Sequence, residues 1–160
     1  SDAANYIKWI IRGFNEGGLT AYMLHLFYGE AEERGYSSLV AWTPSGEIIL
    51  PKRYYSLKHF ANLVKPGYFR ISADLSEANM FVVAFKSPNE DKVVLQIFNQ
   101  GIEQNLSIDV IPGSKSIQHI ITSDNEGEDF ISKNHYSPDK NYFNLNVPSM
   151  SLNSIIFNLN

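Results

Sequence analysis

Between Pro51 and Ile71 the chain reads PKRYYSLKHFANLVKPGYFRI, and the spacing of its apolar residues changes within that stretch. Leu57, Phe60, Ala61 and Val64 stand at i, i+3, i+4 and i+7, which marks one apolar face of a helix. Pro51 occupies a first-turn position, where a missing N–H costs little, and Pro66-Gly67 stops the run. From Phe69 onward the apolar residues alternate instead. A chain that changes from helical to strand spacing at one point builds two different kinds of layer, αβ before it and antiparallel β after it.

Upstream of the junction, Ala3, Ile7, Ile10, Ile11 and Phe14 predict a helix that stops at Gly17-Gly18. Leu19 to Phe27, LTAYMLHLF, is apolar enough to predict a parallel strand covered on both faces. A longer excursion follows. It carries Glu30, Glu32 and Glu33 ahead of Arg34-Gly35-Tyr36, then a hairpin of Leu39–Trp42 and Ile48–Leu50 about the turn Pro44-Ser45-Gly46. Downstream, strands are predicted at Phe69–Ala73, Met80–Lys86, Val93–Asn99, Leu106–Val110, Ile117–Thr122, Tyr142–Val147 and Leu152–Asn158. Ser123 to Lys140 is polar and reads as a loop with one short strand near Phe130 to Ser132. The fold class is α+β and mainly β, with a boundary between residues 1–68 and 69–160, the second part an antiparallel β-sandwich.

The residues of the junction also carry a resemblance. Lys52, Arg53, Tyr54, Tyr55, His59, Phe60, Leu63, Val64, Lys65, Pro66, Gly67, Tyr68 and Arg70 follow in order the pattern of the last barrel helix of glycoside hydrolase family 30, where the chain leaves for a side β-domain. Leu19-Thr20-Ala21-Tyr22 resembles that family's final barrel strand. The resemblance implies that residues 1–68 are the terminal αβα piece of a (β/α)8 barrel and that residues 69–160 are the side sandwich. A whole barrel needs about 250 residues, so a chain of 160 reads as the C-terminal part of such an enzyme. By the same resemblance both catalytic glutamates stand upstream of Ser1, and no residue here is assigned a catalytic role. The implied parent reaction is double displacement at a β-linked glycan without metal or cofactor. The implied partners are the remainder of the barrel and the carbohydrate, with a homodimer possible through the exposed barrel segment. Family members are mostly exported, which gives an extracellular or periplasmic expectation.

Composition narrows the alternatives. Hydrophobic residues make up 44% and aromatic residues 13% of the chain, too much apolar surface for a disordered tail. A net charge of −4 with no basic stripe argues against nucleic acid. The absence of cysteine removes disulfides and thiolate metal sites. No apolar run approaches the roughly 20 residues needed to span a bilayer.

Candidate contacts follow from barrel geometry, in which carboxyl ends of strands face substrate. Met23 to Phe27 would line the cleft, with His25 near a point where the family often carries tryptophan. Tyr22, Phe27, Tyr28 and Trp42 supply flat rings for pyranose faces. Glu30, Glu32 and Glu33 lie on one local stretch, whereas glycoside cleavage needs carboxylates converging from two sides of a sugar, so they read as a solvated face. His25, His59, His119 and His135 show no metal-ligand spacing, and His59 reads as a packing or hydrogen-bonding residue. No Gly-x-Ser-x-Gly elbow occurs. The resemblance implies an arginine-containing stretch at this place in the family's glucuronoxylanases, used to grip a glucuronate; here Leu26 to Glu30 holds no arginine, which favours a neutral β-linked glycan. The expected function is therefore the non-catalytic C-terminal portion of a retaining glycoside hydrolase, buttressing the barrel and lining part of its cleft. The alternative is a stand-alone carbohydrate-binding or cell-surface β-sandwich module.

Overall fold

The computed structural model describes residues 2–25, 27–31 and 38–159. Leu26, Glu32, Glu33 and Arg34-Gly35-Tyr36 lie outside the described residues. Helix α1 spans Asp2–Asn15 and turns Ala4, Ile7, Ile10 and Ile11 inward at helical spacing. Arg12 in its last turn suits the negative end of the helix dipole and pairs with Glu16. Beyond the helix, Leu19 to His25 and Phe27 form no strand. The predicted strand is thereby corrected: a parallel strand needs backbone partners on its edges, and among the described residues the pairing begins only at β1, Tyr28–Glu30. Met23 and Phe27, apolar in sequence, are exposed.

Strand β1 runs parallel to β2, Val40–Trp42, and β2 pairs antiparallel with β3, Ile48–Ile49, around the anticipated turn. Helix α2 follows at Lys52–Leu63, opened by the Tyr54 N–H donating to Pro51 O at 2.8 Å and closed by the Val64 N–H donating to Phe60 O at 2.9 Å. Gly67 then turns the chain with φ of 89°, a conformation L side chains rarely adopt. The inward face of α2 departs from the apolar stripe. Ser56, His59 and Phe60 are buried, Leu57 and Val64 half-buried, and Ala61 exposed. The reason lies in the surface beneath, which presents polar side chains.

That surface is a six-stranded antiparallel sheet. Its strands are β4 (Phe69–Ile71), β5 (Met80–Lys86), β6 (Lys92–Asn99), β8 (Ser116–Thr122), β9 (Asp129–Tyr136) and β11 (Ser151–Asn158), in the order β4-β5-β6-β11-β8-β9. Strands β7 (Gln104–Asp109) and β10 (Tyr142–Val147) make a separate antiparallel pair. One core joins α1 and α2 to Val83, Phe85, Phe98 and Leu152. A second joins Val93, Ile97, Ile117, Ile155 and Phe157 to Leu106, Phe143, Leu145 and Val147 of the pair. The large sheet is therefore covered on both faces, by helices on one side and by β7 and β10 on the other. This explains why central strand β11 is buried along nearly its whole length.

Strand β9 corrects the loop expected over Ser123 to Lys140, for Asp129–Tyr136 pairs along β8. At an edge, a strand needs little apolar content, and residues 132–135 are exposed. A bulge at Phe130 breaks the alternation as well, since Thr122 pairs with Asp129 but Ile121 pairs with Ile131.

Candidate functional site

The parallel register of β1 and β2 sets Tyr28 opposite Val40 and Glu30 opposite Trp42. Alternation then places Tyr28 and Trp42 diagonally on one face, and their rings stack with centroids 6.4 Å apart and planes 20° from parallel. Behind this face Leu39 and Ala41 are buried, which fixes β2 with its ring outward. The Val40 N–H donates to Phe27 O at 2.8 Å and extends the pairing to the residue before Tyr28. Tyr28 is 58% exposed, and Ile48, paired with Trp42 across β2 and β3, is open at 61%. Two parallel rings held on a strand pair, with Glu30 on the same face, offer an apolar platform next to a hydrogen-bond acceptor. Such a surface suits the C–H face and hydroxyl edge of a sugar.

The remaining two anticipated residues fall elsewhere. Tyr22 packs edge-on against Tyr6 with centroids 5.6 Å apart, so its ring is engaged with the α1 core. His25 is exposed and belongs to no regular element. The structure thus joins Tyr28 with Trp42 but brings neither Tyr22 nor His25 into their stack.

Sequence reasoning missed a buried polar cluster beneath α2. Ser154 Oγ donates to Gln96 Oε1, so the His59 Nδ1–H donates to Ser154 Oγ, and the Thr122 hydroxyl donates to His59 Nε2 at 3.0 Å. The Gln96 amide returns a bond to the His59 carbonyl at 3.1 Å. The Ser154 and Thr122 hydroxyls, one accepting from the ring and one donating to it, hold His59 as the neutral Nδ1–H tautomer. Burial first, then the charges of His119 and Lys58, press the His59 pKa down to about 3. Phe130 closes the cluster: it holds φ of 58°, donates its N–H to Thr122 Oγ1 at 2.9 Å and sets its ring edge-on to His59 at 5.0 Å. His59 and Ser154 are both fully buried. No substrate reaches this serine and histidine, so the pair is structural rather than nucleophilic.

On the opposite face His119 donates from Nε2 to Asn153 Oδ1 at 2.9 Å, and burial lowers its pKa against the effect of that bond. Burial also pushes the Glu128 carboxyl upward, but hydrogen bonds from Lys133, Ser123 and Asn125 outweigh it and leave the pKa below the ordinary carboxylate value. Among the described residues no group of three His, Cys, Asp or Glu is placed to hold a metal.

No family model matches the chain. Glucuronoxylanase XynC of Bacillus subtilis (strain 168) is 29% identical over 163 residues, covering 98% of this chain and 35% of that protein. The chain resembles the C-terminal part of a family 30-like glycoside hydrolase. It spans about a third of the length of the curated relatives it matches. Among solved structures, the family 30 subfamily 8 xylanase Xyn30A of Clostridium acetobutylicum superposes with a TM-score of 0.76 at 20% identity, over 98% of this chain and 38% of that one. An arabinose-bound family 51 α-L-arabinofuranosidase superposes with a TM-score of 0.71 at 14% identity, over 98% of this chain and 27% of that one. At these identities the superpositions show the fold alone. The family 30-like segment is mainly β with two described helices, and no described helix is long and apolar enough to cross a membrane.

Proposed function

We propose that this chain is the non-catalytic C-terminal portion of a retaining hydrolase of a β-linked, xylan-type glycan. In this reading residues 1–68 belong to the end of the barrel, residues 69–160 form the side sandwich that buttresses it, and the chain works outside the cell. The observation that carries the reading is the Tyr28–Trp42 stack, an exposed tyrosine against a half-buried tryptophan on two paired strands, in a chain homologous to xylan-degrading enzymes. Its role is to hold the sugar chain against the cleft, not to break it. Buried Glu128 agrees with that role, since Lys133, Ser123 and Asn125 all donate to its carboxylate.

The relatives are named glucuronoxylanases, and a glucuronate group would meet Glu30 here. Like charges at close range disfavour such a group at this spot, so the unsubstituted backbone is the preferred ligand. Affinity electrophoresis in gels containing linear neutral xylan tests the proposal. Trp42→Ala and Tyr28→Ala should each weaken retardation about tenfold, as loss of a central aromatic contact does, and incubation with xylohexaose should release no shorter product. Hydrolysis by the purified chain, or retardation unchanged in both variants, would overturn it.

A further inference from the structure

The outward face of the two-stranded sheet has an unusual chemistry. β10 buries Phe143, Leu145 and Val147 and turns Tyr142, Asn144 and Asn146 outward, while β7 turns Asn105, Ser107 and Asp109 outward. Register makes rungs of them: Tyr142 with Asp109, Asn144 with Ser107, Asn146 with Asn105. Asparagine and aspartate are depleted in strands, whose exposed positions commonly carry threonine or long charged side chains. Giving up strand propensity at successive outward positions marks a surface shaped by function rather than by folding.

The strip presents amides, a hydroxyl, one carboxylate and one ring that is 55% exposed, Tyr142. Among the described residues its only side-chain hydrogen bond is from Asn146 Nδ2 to Asn105 Oδ1 at 3.2 Å, so most of its donors and acceptors face outward uncommitted. At the Tyr142 end it opens into a cleft of about 680 Å³ lined by Tyr136, Ser137, Asp139, Lys140 and Asn141. Tyr136 and Phe143 stack at 4.1 Å between centroids and stiffen that end.

We propose that this face is a second glycan site, taking an extended neutral β-linked polysaccharide along β7 and β10. From Tyr142 to Asn146 the row is about 14 Å long at 3.4 Å per residue, enough for a few linked pyranose rings. Amide side chains both donate and accept, which matches a ligand whose edge is a line of hydroxyls. Polyanions are disfavoured, because Asp109 and Asp139 accompany a single lysine. A protein partner would call for a larger apolar centre than one tyrosine. The site lies on the side of the large sheet away from the helices and does not depend on the role given to Tyr28 and Trp42.

The test uses the whole chain in gels containing linear xylan, mixed-linkage β-glucan or polygalacturonate, with Tyr142→Ala, the double variant Asn144→Ala/Asn146→Ala, and Trp42→Ala. Circular dichroism checks that each variant folds, as expected for substitutions at exposed positions. A neutral polysaccharide should retard the wild-type chain, and in the Trp42→Ala background each strip variant should weaken the remaining affinity about tenfold. Retardation that persists in Trp42→Ala but falls further when Tyr142→Ala is added supports the second site. Absence of retardation by either neutral polymer, preference for polygalacturonate, or strip variants in that background that migrate like Trp42→Ala alone would overturn it.

Discussion

At the scale of single residues, His59 governs the chain's response to acid. Its neutral form is held by Ser154 and Thr122, whereas in the unfolded chain it titrates at its ordinary 6.5. Between pH 6.5 and about 3 the unfolded state therefore binds a proton that the folded state refuses, and stability rises with pH across that window. Each histidine kept neutral contributes a slope of about 1.4 kcal/mol per pH unit, and His119, also lowered, adds in the same direction. Urea unfolding at pH 7 and pH 5 should show a clear loss at the lower pH, and His59→Gln should reduce that loss to the part His119 supplies while costing about 2–4 kcal/mol at pH 7. Equal midpoints at both pH values for the wild type would contradict this. Residue-level legibility was uneven. His59 could be read as a packing or hydrogen-bonding residue, but its partners on β8, β6 and β11 lie 37 to 95 positions away in sequence, beyond any local pattern.

At the scale of elements, strong alternation was the legible signal. β5 and β10 occupy the predicted residues, because their apolar runs are bounded by turn chemistry on both sides. β9 was hidden by its polar edge and by the bulge at Phe130. Leu19 to Phe27 misled in the opposite sense, since apolar composition states that a segment wants cover and not which partner supplies it. The Pro66-Gly67 stop was read correctly, and its mechanism predicts a mutant. A Cβ at Gly67 would sit 3.2 Å from Pro88 Cγ while φ stayed at 89°. Gly67→Ala should destabilise the chain by about 1–2 kcal/mol in urea titrations, with an unchanged denaturant slope. A neutral or stabilising effect would show that the turn relaxes freely.

At the scale of the whole molecule, the two helices and the large sheet share a core. Val83, Phe85, Phe98 and Leu152 face helices that come from residues 1–68. Residues 69–160 alone would expose those side chains, each worth about 1.5–3 kcal/mol when buried, and should self-associate in light scattering. A clean monomer with the urea midpoint of the intact chain would show the helices to be dispensable. The candidate site was legible only in part. Tyr28 and Trp42 were recognisable as rings suited to sugars, but their meeting depends on a parallel register between segments that no periodicity connects. The central claim is that this ring pair receives a β-linked glycan. The chain has two tryptophans, so Trp9→Phe leaves Trp42 as the sole indole reporter. Titrating that variant with xylohexaose should shift and saturate the tryptophan emission, and adding Tyr28→Ala should weaken the response. Emission that stays constant throughout the titration would contradict the account.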